Sequence, residues 1–163
     1  MNVNYLQSMK SWCAVALLVA VGPARAQSRS RTPFPGAIEL VVHVPDSGAR
    51  ARDRAARVLT AQGYALRPLV PGAQRVETAP RLVQPPARVG STVQVRVLGR
   101  YLAVQGFFLG PDSLPRPAFP VACPDPNRSR NTLQARGWAE LEAVARALQG
   151  TVWYQGPIAP PAK

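Results

Sequence analysis

The chain has one histidine, two cysteines and eight acidic residues among 163, and each scarcity closes a class of chemistry. A single histidine, His43, excludes a metal centre built from several imidazoles, and with no C-x-x-C pair the thiolate zinc sites go too. Ser/His/Asp catalysis would need His43 as its base. No G-x-S-x-G nucleophile turn accompanies it, so His43 reads as a surface residue on the wet side of a strand. A carboxylate pair for glycoside hydrolysis would come from Glu39, Asp46, Asp53, Glu77, Asp112, Asp125, Glu140 and Glu142. Several of these stand beside arginines or at a helix start, where ion pairing and the helix dipole account for them. Residues 106–110 (GFFLG) lack both the spacing and the lysine of a phosphate-cradling loop. No catalytic set, no metal site and no cofactor is therefore expected.

Long apolar runs are also missing. The longest, residues 11–22 (SWCAVALLVAVG), falls short of the roughly 20 residues a membrane span needs. It follows Lys10 and precedes Pro23-Ala24-Arg25-Ala26, an A-x-A-type cleavage site. The expectation is a signal peptide over residues 1–26, cut after Ala26, and a periplasmic or secreted protein. An uncleaved anchor is the rival reading. Lipidation is disfavoured because Cys13 sits near the beginning of the run rather than after it. Met9-Lys10 places the charge directly before the run, so Met9 reads as the natural start and residues 1–8 as an extension. Cleavage leaves 137 residues, one ordinary domain with a single core. It also removes Cys13 and leaves Cys123 without an intramolecular partner, so the fold must stand on packing. Cys123 lies in VACPDPNRSR. It reads as a small, partly buried side chain rather than a redox or intermolecular thiol, because no neighbouring motif lowers its pKa.

What the chain does have is arginine. Lysine occurs only at Lys10 and Lys163, and loss of Lys10 and Arg25 takes the net charge from +12 to +10. Such a charge favours anionic partners. The arginines are scattered among Ala, Val, Pro and Gly, however, as GC-rich codon supply would produce, and an exported protein rarely meets nucleic acid. The expected partner is an envelope protein or an anionic envelope component, not nucleic acid. Arg50, Arg54 and Arg57 recur at i, i+4 and i+7 and form a basic stripe, the candidate anion-binding site; Asp53 partly offsets it, and a solvated helix face is the competing reading. Phe107, Phe108, Trp138, Trp153 and Tyr154 are a second candidate set. Consecutive Phe107 and Phe108 must point to opposite faces of a strand.

Along the chain, residues 27–36 (QSRSRTPFPG) read as a flexible leader. Residues 37–44 alternate, with Ile38, Leu40, Val42 and Val44 on one side and Glu39, Val41 and His43 on the other, which predicts a strand. Asp46 or Ser47 caps a helix running to about Gln62, with Ala51, Ala55, Val58 and Leu59 as its buried stripe and Gly63 ending it. Residues 64–70 and 74–83 read as strands broken at Pro68 and Pro80, the first at an edge. Residues 91–100 and 101–109 read as an antiparallel hairpin reversing at Gly99-Arg100. Residues 110–131, with six prolines, read as a mobile surface excursion. Thr132 caps a second helix to about Gln149, which buries Trp138, Leu141, Val144, Ala145 and Leu148, pairs Glu142 with Arg146 and stops at Gly150. Residues 151–154 (TVWY) offer a short last strand, and 155–163 a tail.

The order β-α-β-β-β-β-α predicts one α+β domain over residues 37–154: an antiparallel sheet of about five strands with two helices on one face. Val44-Pro45-Asp46 entering the first helix, Gly63-Tyr64 leaving it, the hairpin of residues 91–109 and the closing helix around Trp138 carry a resemblance. In this order of elements the chain resembles the helix-grip domains of small bacterial envelope proteins, such as those of the outer-membrane assembly component BamC. It departs from them in lacking a lipidation cysteine, and no functional residue carries over. The expected function is that of an exported, non-enzymatic envelope domain with an interaction or structural accessory role. Two alternatives stand beside it: a binding module for a small apolar or anionic ligand between sheet and helices, and a hydrolase dependent on His43.

Overall fold

The computed structural model describes residues 29–68, 70–82, 89–109, 119–127 and 132–157. The expected signal peptide, most of the first half of the proline-rich stretch, residues 128–131 and the end of the tail lie outside the described residues.

In chain order the elements are β1 (Arg29–Ser30), β2 (Glu39–His43), α1 (Gly48–Ala61), β3 (Arg75–Glu77), β4 (Arg81–Leu82), β5 (Gly90–Leu98), β6 (Tyr101–Leu109), β7 (Phe119–Pro120), α2 (Leu133–Ala147) and β8 (Thr151–Gln155). The chain is α+β: one open antiparallel sheet carries both helices. Strand order is β1-β8-β2-β6-β5-β3, with β4 also on β5 and β7 also on β6. Units β2-α1-β5 and β6-α2-β8 are interleaved, each leaving a gap of one strand that the other fills. This is the split β-α-β, or ferredoxin-like, topology. The remaining strands, three residues or fewer, add to it and raise the count among the described residues from the expected five or so to eight.

Alternation determines which side of the sheet meets the helices. Val93, Val95 and Val97 of β5 pair with Gly106, Val104 and Leu102 of β6 and share a side with Leu40 and Val42 of β2. Ala51, Ala55 and Leu59 of α1 and Trp138, Leu141, Val144 and Ala145 of α2 pack on that side in one buried cluster. Two glycines set the spacing. A Cβ on Gly106 would lie 2.9 Å from Leu141 Cδ2, and one on Gly137 would lie 2.7 Å from Phe108 Cζ. Their bare backbones let α2 settle onto β6, with Val121 wedged beside both. The hairpin reverses at Gly99-Arg100, where Gly99 takes φ +65°, a two-residue loop of the kind that glycine favours.

Helix ends follow local chemistry. Thr132 Oγ1 accepts the Ala135 N–H at 3.1 Å and starts α2. Ser47 occupies the N-cap of α1 without a side-chain cap bond, and Asp46 commits its carboxylate to Arg54 instead. Past α2, the left-handed residue is Gln149 (φ 54°). Gly150 is needed for room: a Cβ there would collide with the His43 carbonyl oxygen.

Four expectations are corrected, and one, the short last strand, is borne out. The described residues of 64–70 form no strand. Leu66 makes one bridge to Thr78, and Pro68 has no N–H with which to continue the ladder. The strand expected over 74–83 is split into β3 and β4. The short last strand expected over 151–154 forms, reaches one residue into the expected tail and lies in the sheet interior, between β1 and β2. From Arg29 the leader is held rather than flexible: Arg29 and Ser30 pair with β8, Phe34 packs on the core, and the Gly36 N–H reaches the Cys123 carbonyl at 3.0 Å. Residues 119–127 of the proline-rich stretch belong to the fold. Val121 N–H bonds to the Gly106 carbonyl at 2.8 Å and Cys123 N–H to the Ala37 carbonyl at 2.7 Å, and both side chains are buried. Prolines flank this segment without removing the two donors that anchor it.

Candidate binding face

The sheet side that the helices leave free carries most of the unusual chemistry. Strand register lays it out in rows. One row runs Trp153, Val41, Ala103, Arg96, Arg75 across β8, β2, β6, β5 and β3. Beside it Gln155 neighbours Glu39, and Gln105 neighbours Gln94 and then Glu77. On the other flank Thr151, His43, Tyr101 and Leu98 follow one another.

The expected wet side of β2 is in fact closed. Glu39 is 5% exposed and Val41 2%. β2 is a central strand, and long side chains from its neighbours close over it. From β5, Arg96 reaches across β6 to place Nη2 2.6 Å from Glu39 Oε1. Ala103, its register partner on β6, is fully buried, and a side chain this small leaves the path open. Gln155 Nε2 donates to Glu39 Oε2 at 2.9 Å from the other side. Both carboxylate oxygens of a buried acid are thereby satisfied, as burial of a charge requires.

At the β8 end lies an aromatic cluster. His43 and Tyr101 have ring centroids 5.1 Å apart, and Tyr101 and Trp153 6.2 Å. The pinned leader lays two cations over it. Arg29 Cζ sits 5.6 Å from the Trp153 ring and 5.9 Å from Tyr101, and Arg31 Cζ sits 5.3 Å from Trp153. Rings hold guanidinium groups by their faces, which leaves the N–H edges for acceptors. At the β3 end, Glu77 receives Arg75 (3.2 Å), Arg67 (3.7 Å) and Gln94 Nε2 (2.9 Å). Clefts of about 250 and 190 Å³ flank that group. Arg29, Arg31, Arg67, Arg75 and Arg96 thus surround Glu39 and Glu77, and the face is positive.

The sequence-predicted stripe does not form one site. Arg54 donates from Nε to Asp46 Oδ2 at 2.7 Å and from Nη1 to the Leu148 carbonyl at 3.2 Å, tying the two helices together. Arg57 Nε donates to the Asp53 carbonyl at 3.4 Å, and Arg50 is exposed. The middle member of the stripe therefore has a structural task. Of the aromatic candidates, Phe108, Trp138 and Tyr154 belong to the core, and Trp153 alone joins the cluster on the free side. Phe107 and Phe108 do face opposite ways; Phe107 lines the 250 Å³ cleft. His43 packs against Tyr101 with the rings tilted by 50°, while Glu39 is taken by Arg96 and Gln155, so the two do not meet as a catalytic pair.

Two further polar groups serve the helical layer. Glu142 accepts Trp138 Nε1 at 3.2 Å, the Tyr154 hydroxyl at 3.4 Å and Arg146 Nη2 at 2.7 Å. Burial first, and then the Glu142 carboxylate, push the Cys123 thiol above its ordinary value. A thiol held protonated is a poor nucleophile, which fits a packing role. Arg81 stacks on the Tyr64 ring at 4.3 Å and pairs with Glu140 at 2.9 Å. Burial, followed by Glu140, pushes Tyr64 up to about 12.

The fold and this face define a small split β-α-β domain with helices on one side and a cationic, aromatic-bearing sheet on the other. No protein-family model matches the chain, and no curated protein is significantly similar to it. Among the described residues no helix is long and apolar enough to cross a membrane.

Proposed function

We propose that the chain is an exported, non-enzymatic interaction domain that meets an anionic envelope partner with the helix-free side of its sheet. The observation carrying this reading is the pair of leader arginines, Arg29 and Arg31, stacked over Tyr101 and Trp153. Aromatic and arginine residues are the side chains on which interface energy concentrates. Glu39 is held by Arg96 and Gln155 and not by His43, which supports a binding role over a hydrolysis dependent on that pair. The signal-peptide pattern expected from the sequence of residues 1–26 supports the envelope as the meeting place.

The test is differential capture from envelope extracts with the wild-type chain, an Arg29→Ala/Arg31→Ala variant and an Arg50→Ala/Arg57→Ala variant. The reading expects one component retained by wild type and by the helix variant, lost by the leader variant and released by added salt. Equal capture by all three proteins, or loss only in the helix variant, contradicts it.

A further inference from the structure

Ion pairs among the described residues engage seven arginines, Arg75 and Arg96 among them. Arg29, Arg31 and Arg100 belong to none of these pairs, and all three are exposed. They share one flank of the helix-free side. Arg29 lies over the Tyr101 and Trp153 rings and Arg31 over Trp153, while Arg100 stands at the hairpin reversal, next in the chain to Tyr101. Along that flank, register sets Thr151, His43, Tyr101 and Leu98 in a row across β8, β2, β6 and β5. Three strand spacings make the row roughly 14 Å long. Its β5–β6 end is open to solvent: Leu98 is 53% exposed and Tyr101 39%. Asp46, the acid in the loop after β2 at this end of the sheet, is committed to Arg54 at 2.7 Å. Cations without an acid partner therefore frame an exposed strip of aromatic and apolar side chains.

We infer that this strip docks on an anionic phospholipid bilayer, with Arg29, Arg31 and Arg100 on lipid phosphates and Leu98 and Tyr101 in the headgroup boundary. The inference rests on the proposed reading of this face and names its anionic partner. A bilayer presents phosphates side by side over any length, which suits cations spread along a row of strands better than one small anion does. Guanidinium groups held by ring faces keep their N–H edges for phosphate oxygens. Tyrosine and tryptophan settle at membrane–water interfaces, where an apolar ring and a polar tip are both satisfied. Charge alone would equally suit an acidic protein. The exposed Leu98 and Tyr101 between the cations decide for a surface whose charged layer lies over hydrocarbon.

The chain purified from its host is sedimented with phosphatidylcholine vesicles, with and without phosphatidylglycerol, and titrated separately with soluble polyglutamate. Binding is expected to the phosphatidylglycerol vesicles, at least about tenfold weaker to pure phosphatidylcholine, and reversed by salt. Arg31→Ala/Arg100→Ala should weaken vesicle binding by at least about tenfold. Arg50→Ala/Arg57→Ala removes the same charge from α1 and should change it by less than about twofold. Leu98→Ser should weaken vesicle binding severalfold and leave polyglutamate unchanged. Amide NMR signals that match wild type away from each substitution verify the fold. The inference is overturned if phosphatidylglycerol vesicles are not bound, or if polyglutamate binds with equal affinity, as an acidic protein partner would imply. It is overturned too if the Arg31/Arg100 and Leu98 variants bind vesicles like wild type, as attachment through residues 11–22 would. A protein captured from envelope extracts through Arg29 and Arg31, with no vesicle binding, would sink this inference and leave the proposed interaction domain standing.

Discussion

On β2, Leu40 and Val42 point to the helices, while Glu39, Val41 and His43 point away, and only His43 is not buried. The two sides reach similar burial by different physics. On the helical side, methyl and aromatic surfaces fit at close range, and glycines at 106 and 137 set how near α2 can come. On the free side no second layer is needed over Glu39, because Arg96 and Gln155 span neighbouring strands to reach it. Size therefore rules one side and reach with charge the other. A side whose burial depends on long cationic side chains can still present those cations to a partner; a side buried by a helix cannot.

That contrast can be broken first where it is strongest. Leu141 is 1% exposed and meets β6 at Gly106. Leu141→Ala is expected to cost about 2–5 kcal/mol, measured by urea unfolding. Gly137→Val drives a side chain into Phe108 and Val121 and should cost about 1–3 kcal/mol. On the free side, Arg96→Leu keeps bulk over Ala103 but leaves one oxygen of Glu39 unpaired, for about 1–3 kcal/mol. Arg96→Leu/Glu39→Leu should recover much of that loss, because it removes the orphaned charge along with its partner. A size-governed site would not behave this way, so the double variant separates the two mechanisms.

Alkaline titration sharpens the comparison from the helical side. Tyr64 ionises at an ordinary value of 10.0 when unfolded and at about 12 in the fold. The folded chain holds the proton more tightly, so the Tyr64 contribution is intact below pH 10 and is lost as pH rises toward 12. Tyr64→Phe should flatten that decline in unfolding measurements across the same window. The smallest effect is expected at Arg50, exposed on α1: Arg50→Ala should change stability by less than about 0.5 kcal/mol.

Much of the architecture was legible because it is written in local patterns. Alternation gave the β5–β6 hairpin and its reversal at Gly99-Arg100, and helical spacing with Thr132 and Gly63 gave both helices to within a few residues. The order of strands was not legible. That β8 lies beside β2 depends on contacts more than a hundred residues apart, for which periodicity carries no signal. The two-residue strands were lost for the same reason, and with them the docking of Arg29 and Arg31. At the candidate site, Trp153 was visible as one of the candidate aromatics. For the Arg50–Arg54–Arg57 stripe, helical spacing reveals a shared flank but not that Asp46 and the Leu148 carbonyl engage its middle member.

The central claim is that the free side of the sheet, not the helical layer, meets the partner. A photo-crosslinking residue placed at position 153, and separately at position 57, in the chain expressed in its own host tests this most directly. A discrete adduct is expected from position 153 that disappears when Arg29 and Arg31 are alanine, and none from position 57. An adduct from position 57 with none from position 153 would contradict it.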